Sequence, residues 1–264
     1  MSSITRRASL EMVYATSWKW LGCGFCCLIG LVAGTSCSPP QARPTIQDVR
    51  QALNDGDEDR VEEILSAYLA EHPDSVEALR GRGGMYAVLG EMDQALEDLN
   101  RALKIAPDDG VALNNRALVF KEMNRKDEAI ADYEKAIVCG FDEASLRNNL
   151  AILYSSTDRK QKAVEHYGEA IRFDPSDVVF YLNRGACLVD LGEIDPGIAD
   201  FTSAITLAPN DYRAYALRYN AYVEKGELDK ARPDGEKAHQ LNPDWKMWAS
   251  ADPSSADNTQ IQED

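Results

Sequence analysis

The chain has 264 residues, 44% of them apolar, and carries 28 Lys and Arg against 44 Asp and Glu, a formal net charge of −16. That apolar content is ordinary for a folded protein and excludes a wholly disordered chain. The acidic balance argues against a nucleic-acid partner, because phosphate binding needs clustered Lys and Arg. The cluster Arg80-Gly81-Arg82-Gly83-Gly84 sits in register within a periodic helix and is not read as an RNA-binding tract.

Residues 1–20 are polar, with Arg6, Arg7 and Lys19 against Glu11, and Leu21–Val32 is an uncharged apolar run. The pattern reads as an export signal over 1–36, too short for a comfortable transmembrane helix. The run closes in Leu31-Val32-Ala33-Gly34-Thr35-Ser36-Cys37, which resembles a bacterial lipobox, Gly34 standing where that pattern prefers Leu. The resemblance implies cleavage before Cys37, lipidation of its sulfur and attachment to a membrane facing the periplasm. Ordinary cleavage and secretion, or an uncleaved anchor helped by Trp18 and Trp20 at the interface, are the alternatives. Thr5-Arg6-Arg7-Ala8-Ser9-Leu10 partly resembles a twin-arginine export signal, with Ser9 in place of its aromatic residue or Leu. Cleavage at Cys37 moves the net charge to −18, so the lipid and not a basic patch would hold the membrane. Residues 37–44 then form a Ser/Pro tether.

From 42 to 245 one unit recurs every 34 residues, in repeats 42–75, 76–109, 110–143, 144–177, 178–211 and 212–245. In the second repeat Leu79, Gly83 and Tyr86 recur at helical spacing, Gly90 interrupts, and Ala95, Leu99 and Ala102 repeat the spacing before Pro107. This is a helical hairpin with one apolar stripe per helix, which cannot cover its stripe alone. The proline returns at Pro73, Pro175, Pro209 and Pro243, with Phe141 in the remaining slot. The turn between helices carries Gly56, Gly90, Asn124, Asp158, Gly192 and Gly226, all tolerant of left-handed backbone. Asp59, Asp93, Asp127, Asp195 and Asp229 are expected to N-cap the second helices.

This pattern resembles the tetratricopeptide repeat. The resemblance implies an all-α fold, a right-handed superhelical α-solenoid of six hairpins with first helices lining a concave groove. It implies no chemistry and no cofactor. The first repeat, with Val49 at the crossing slot and Tyr68 for the usual Ala, reads as an N-terminal cap. In the last, Gly235 replaces the large residue that is Leu99, Tyr133, Tyr167 or Phe201 elsewhere, and Pro233 falls early in the second helix. That helix is expected to be the weakest element, its end covered by Trp245, Met247 and Trp248. Residues 246–264 thus comprise a short aromatic cap and an acidic tail expected to be disordered.

Arg82, Arg116, Arg184 and Arg218 share one slot of the first helix, and Asp98, Asp132, Asp200 and Asp234 one slot of the second; the remaining central repeat has Leu150 and His166 there. Structural ion pairs within each hairpin are expected. By the resemblance, the groove-facing residues of the middle repeats are Val111, Asn114, Asn115, Leu118 and Lys121, then Ser145, Asn148, Asn149 and Ile152, then Val179, Leu182, Asn183, Ala186 and Val189. Asn115, Asn149 and Asn183 form a column similar to the asparagine ladder of the glycosyltransferase that adds N-acetylglucosamine to proteins, without its transferase domain. Such amides suit an extended peptide backbone and the aliphatic residues its side chains. His72, His166 and His239 lie far apart, Cys139 and Cys187 read as separate thiols, and no metal or catalytic constellation is expected. The sequence therefore reads as a non-enzymatic, exported and lipid-anchored scaffold binding a protein or extended peptide. An accessory or assembly subunit of a cell-envelope complex, in cell-wall or polysaccharide processing or in pilus or outer-membrane protein assembly, is the alternative.

Overall fold

A computed structural model of the chain describes residues 46–246. The expected leader, Cys37, the tether and the tail from Met247 lie outside the described residues. Among the described residues every regular element is an α-helix, and the helices form six consecutive antiparallel hairpins. The chain divides after Phe141 into two compact units. The first contains hairpins Ile46–Asp55/Glu58–Glu71, Val76–Leu89/Met92–Ile105 and Gly110–Glu122/Lys126–Val138. The second contains Ala144–Ser156/Lys160–Phe173, Val178–Asp190/Ile194–Leu207 and Tyr212–Lys225/Leu228–Leu241.

The six inter-helix turns take the left-handed backbone that their residues allow, with φ from 58° at Asn124 and 59° at Asp158 to 87° at Gly90. The capping residues are not those expected. Asp59, Asp93, Asp127, Asp195 and Asp229 fall at the second residue of their helices, inside the first turn, where a carboxylate favours the helix dipole without closing the end. Side-chain caps instead open four first helices, where Ser75, Asp109, Asp177 and Asp211 accept from backbone N–H groups two or three residues on, and one second helix, where Asp57 accepts from Arg60 N. Each first-helix cap lies two residues after the repeat's closing proline, so one short segment ends one hairpin and starts the next.

The helices of a hairpin cross where a small residue meets a large one. A Cβ on Gly83 would come within 2.8 Å of Leu99 Cγ, and one on Gly185 within 2.6 Å of Phe201 Cε1. Ala117 and Ala151 fill the same slot against the buried Tyr133 and Tyr167. In the last hairpin the sizes are exchanged: Tyr219 stands in the slot of Gly185, and Gly235 in the slot of Phe201. Tyr219 is fully buried among Ala231, Tyr222, Val223 and Trp245, whose indole meets the phenol ring edge-on at 5.5 Å. The expected deficit at Gly235 is therefore made good from the opposite helix, and Leu228–Leu241 runs unbroken through Pro233.

Beside each crossing lies a two-pronged ion pair. Arg82 Nε and Nη2 donate to Asp98 at 2.6 and 2.9 Å, Arg116 to Asp132 at 2.6 and 2.8 Å, Arg184 to Asp200 at 2.7 Å twice, and Arg218 to Asp234 at 2.7 and 2.8 Å. The four aspartates are buried, so their charge is acceptable only because the planar guanidinium fork satisfies both oxygens. Those hydrogen bonds push Arg82, Arg184 and Arg218 above the ordinary guanidinium value. Where Leu150 and His166 replace the pair, Arg147 enters from one turn earlier, forks Asp142 at 2.6 Å and places Nη1 3.1 Å from His166 Nδ1. Arginine can only donate, so His166 Nδ1 is the acceptor in this contact.

The third guanidinium nitrogen ties a hairpin to the one before it. Nη1 of Arg82 donates to Ser66 Oγ at 3.0 Å, that of Arg116 to Asn100 Oδ1 at 2.7 Å and that of Arg218 to Thr202 Oγ1 at 3.0 Å. Arg184 meets Gly168 in this slot, which offers no acceptor.

Two outcomes follow in denaturation experiments. Tyr219→Gly should cost about 3–5 kcal/mol, comparable to truncating a central ring, and adding Gly235→Phe should recover most of the loss. Unimpaired stability of Tyr219→Gly would show that the exchanged sizes do not hold the last hairpin. A Cβ on Gly168 would meet only Arg184 Nη1 at 3.6 Å, an ordinary contact. Gly168→Ser should therefore stabilise by roughly 1–2 kcal/mol, against about 0.5–1 kcal/mol for Gly168→Ala, which gains helix propensity without the bond. Equal gains would show that the serine does not reach Arg184.

Candidate functional site

The residues expected to face a ligand lie on the first helices, and each unit carries its own set. In the first unit the helix Gly110–Glu122 presents half-buried Val111, Asn114, Leu118 and Lys121, and Lys121 Nζ lies 3.9 Å from Glu122 Oε1. Asn115 does not share this exposure. At 3.6 residues per turn it continues the inward stripe of Ala112 and Val119, and only 2% of it is accessible. Its Oδ1 takes a long 3.5 Å contact from Asn114, and its Nδ2 has no hydrogen-bond partner. Asn115 is therefore part of the interior and not of an accessible ladder, a correction to the sequence reading.

In the second unit the face is open. Ile152 and Val179 are 39% and 38% exposed, Ile152 within its helix and Val179 in the first turn of the next first helix. Ser145, Asn148, Asn149, Asn183, Ala186 and Val189 are half-buried, while Leu182 is buried and belongs to the core with Phe201. Asn183 Nδ2 donates to Asn148 Oδ1 at 3.3 Å, joining two hairpins through their amides. Asn183 Oδ1 and Asn148 Nδ2 keep their capacity as acceptor and donor. The joined pair thus offers one acceptor and one donor side by side, the complement of a backbone amide.

Sequence reasoning missed this bond because it compared residues 34 apart, whereas the bond joins two different slots, 148 and 183. It likewise missed that Cys187 Sγ lies 3.3 Å from Ser155 Oγ, which ties the same two hairpins. Cys139 and Cys187 are free thiols, the first half-buried and the second buried. The histidines stay apart: His72 packs on Tyr68, His166 stacks on Tyr154, and His239 Nδ1 contacts the Trp245 carbonyl at 2.9 Å.

Electrostatically these faces are neutral except at Lys121. Phenols in the packing are strongly perturbed: burial pushes the Tyr133 and Tyr167 hydroxyls up, and Tyr86, buried and donating to Glu62 at 2.8 Å, is raised to about 12. Such shifts keep the rings neutral and supply no acid or base near neutrality. Among the described residues no His, Cys, Asp and Glu cluster could hold a metal ion, and no helix is long and apolar enough to cross a membrane. The arrangement can hydrogen-bond an amide and cover aliphatic side chains.

Family models described as tetratricopeptide repeat match residues 74–137, 144–173 and 178–211. Among solved structures, YrrB, described as a tetratricopeptide repeat protein with an unusual peptide-binding site, is 20% identical, with a TM-score of 0.66, over 69% of this chain and 94% of that one. MamA is 23% identical with a TM-score of 0.61, over 65% of this chain and 93% of its own. A tetratricopeptide repeat protein from Parabacteroides merdae is 20% identical with a TM-score of 0.61, over 78% and 80%. At these identities the likeness concerns the fold alone. No curated protein sequence matches the chain significantly.

Proposed function

Because the chain is a tetratricopeptide repeat protein, a fold that serves as a protein–protein interaction scaffold, we propose that it is a non-enzymatic adaptor holding an extended peptide segment against its first helices. The observation that carries this reading is the Asn148–Asn183 amide pair of the second unit, flanked on the same helices by exposed Ile152 and Val179. A peptide in β or polyproline conformation turns both its C=O and N–H outward, and a joined donor and acceptor receives them together. Desolvating neutral amides costs less than desolvating ions, so such a face recognises backbone and apolar side chains without selecting for charge. The peptide-binding description of YrrB concerns that protein, and it adds weight here through the shared fold only.

The adaptor reading extends to location. The leader and the run ending at Cys37 support an exported protein held at a bacterial envelope by a lipid on that cysteine, where it would serve an envelope assembly or processing complex. Cys37→Ala should then leave the precursor uncleaved or release the protein from membranes. Unchanged detergent partitioning, with no lipid on Cys37 by mass spectrometry, would sink this part of the reading.

Peptide capture is tested with ligands selected from a displayed random-peptide library and titrated against the wild type and Asn148→Ala/Asn183→Ala. Each lost hydrogen bond is worth roughly 0.5–1.5 kcal/mol, so affinity should fall about fivefold to a hundredfold. The unfolding midpoint should scarcely move, since alanine's better helix propensity offsets the lost Asn183–Asn148 bond. Affinity should change little between low and high salt, because no ion pair forms on binding. Unchanged affinity in the double variant, with steep weakening by salt, would move the binding site to the acidic second helices.

A further inference from the structure

The described residues end at Lys246, and the sequence continues for 18 residues, to Asp264. Twelve residues after Lys246 comes Asn258-Thr259-Gln260-Ile261-Gln262, an uncharged stretch in a tail whose other residues include Asp252, Asp257, Glu263 and Asp264. It carries one large aliphatic residue, Ile261, a β-branched neighbour with strand propensity and three side-chain amides. Its chemistry is the complement of the Asn148–Asn183 face: backbone amides for the joined donor and acceptor, and Ile261 for the exposed Ile152 and Val179.

Reach and charge both permit this occupant. An extended chain spans about 3.3 Å per residue, so the residues between Lys246 and Asn258 cover roughly 40 Å. The chain leaves Leu228–Leu241 at the end where the first helices begin, and Asn148 and Asn183 lie in the first halves of their helices, so two successive hairpin spacings and half a helix length, about 30 Å, have to be covered. Ser145, Asn148, Asn149, Ile152, Val179, Asn183, the slots that face the segment, include no carboxylate. An acidic tail can therefore lay this uncharged, Ile261-bearing stretch there without bringing a carboxylate against a like charge. Tethering raises the local concentration of the segment to the millimolar range, enough for a weak self-contact to dominate over free peptides.

Resting on the peptide-binding reading above, we infer that residues 258–262 are a resident occupant of the Asn148–Asn183 face, an autoinhibitory segment that a partner peptide must displace. The tail then sets a threshold: only partners that outcompete it, or that draw it away, gain the face.

The test uses the full chain and a chain stopped after Asp257, with a fluorescent synthetic peptide of residues 256–264 as the probe. The shortened chain should bind the probe saturably, and at least about tenfold more tightly than the full chain, whose own segment competes. Asn148→Ala/Asn183→Ala in the shortened chain should weaken the probe at least about fivefold. Ile261→Asp in the full chain, which leaves every described helix untouched, should restore probe binding to the shortened chain's level. No binding of the probe by the shortened chain, or equal binding by both chains, would overturn the autoinhibitory contact. Library-selected peptides titrated in parallel separate the two readings: if they bind both chains alike while the probe does not bind, the peptide-binding face stands and the tail contact falls. If neither they nor the probe bind, both fall.

Discussion

From the second hairpin onward, each closes because its two helices can approach at one point, where a residue with little or no side chain on one meets a large one on the other. Leu99 over Gly83 and Phe201 over Gly185 leave no room for even a methyl group. Everything else in the repeat follows from that contact, since it sets the rotation of both helices about their axes. One stripe turns inward, and the opposite side of the first helix is left accessible. The last hairpin shows that the constraint concerns the sum of volumes and not the identity of the helix supplying the bulk, because Tyr219 and Gly235 satisfy it in reverse.

The buried aspartates could not survive beside these crossings alone. A carboxylate at a few per cent exposure tolerates burial when both oxygens are bonded, and the arginine fork does this with two nitrogens while the third reaches the preceding hairpin. A pair that is locally neutral thus becomes a tie between repeats. The hairpin with Leu150 and His166 keeps the principle with different parts, as Arg147 takes Asp142 for its charge and the imidazole as an acceptor. Proline carbonyls at the repeat ends are tied similarly, by Arg101 and Lys135 from the following hairpin and by Tyr181 and Tyr215 from the helix just after.

These ties occupy the charged groups of the interior, and the face of the first helices in the second unit is consequently made of what remains: amides and aliphatic side chains. Neutral amides joined to one another keep a fixed geometry at little entropic cost, which is what recognition of a featureless backbone requires. The acidic side chains stay on other surfaces, where they favour solubility and discourage non-specific contact.

The sequence by itself determined the hairpins, their period, the left-handed turn residues and the arginine–aspartate pairs, because each depends on spacing along the chain: the pair is always 16 residues apart and the turn always follows the same stripe. It also contained the true caps, Ser75, Asp109, Asp177 and Asp211, in plain view after each proline. They were misassigned because an aspartate near a helix start can sit before the helix or within its first turn, and composition does not distinguish the two. Only the tertiary structure decided that Asn115 is interior while Asn183 joins Asn148, and that Tyr219 answers for Gly235. Those outcomes depend on how far each helix is rotated and on which column of one hairpin meets which column of the next, distances through space that a 34-residue register does not encode.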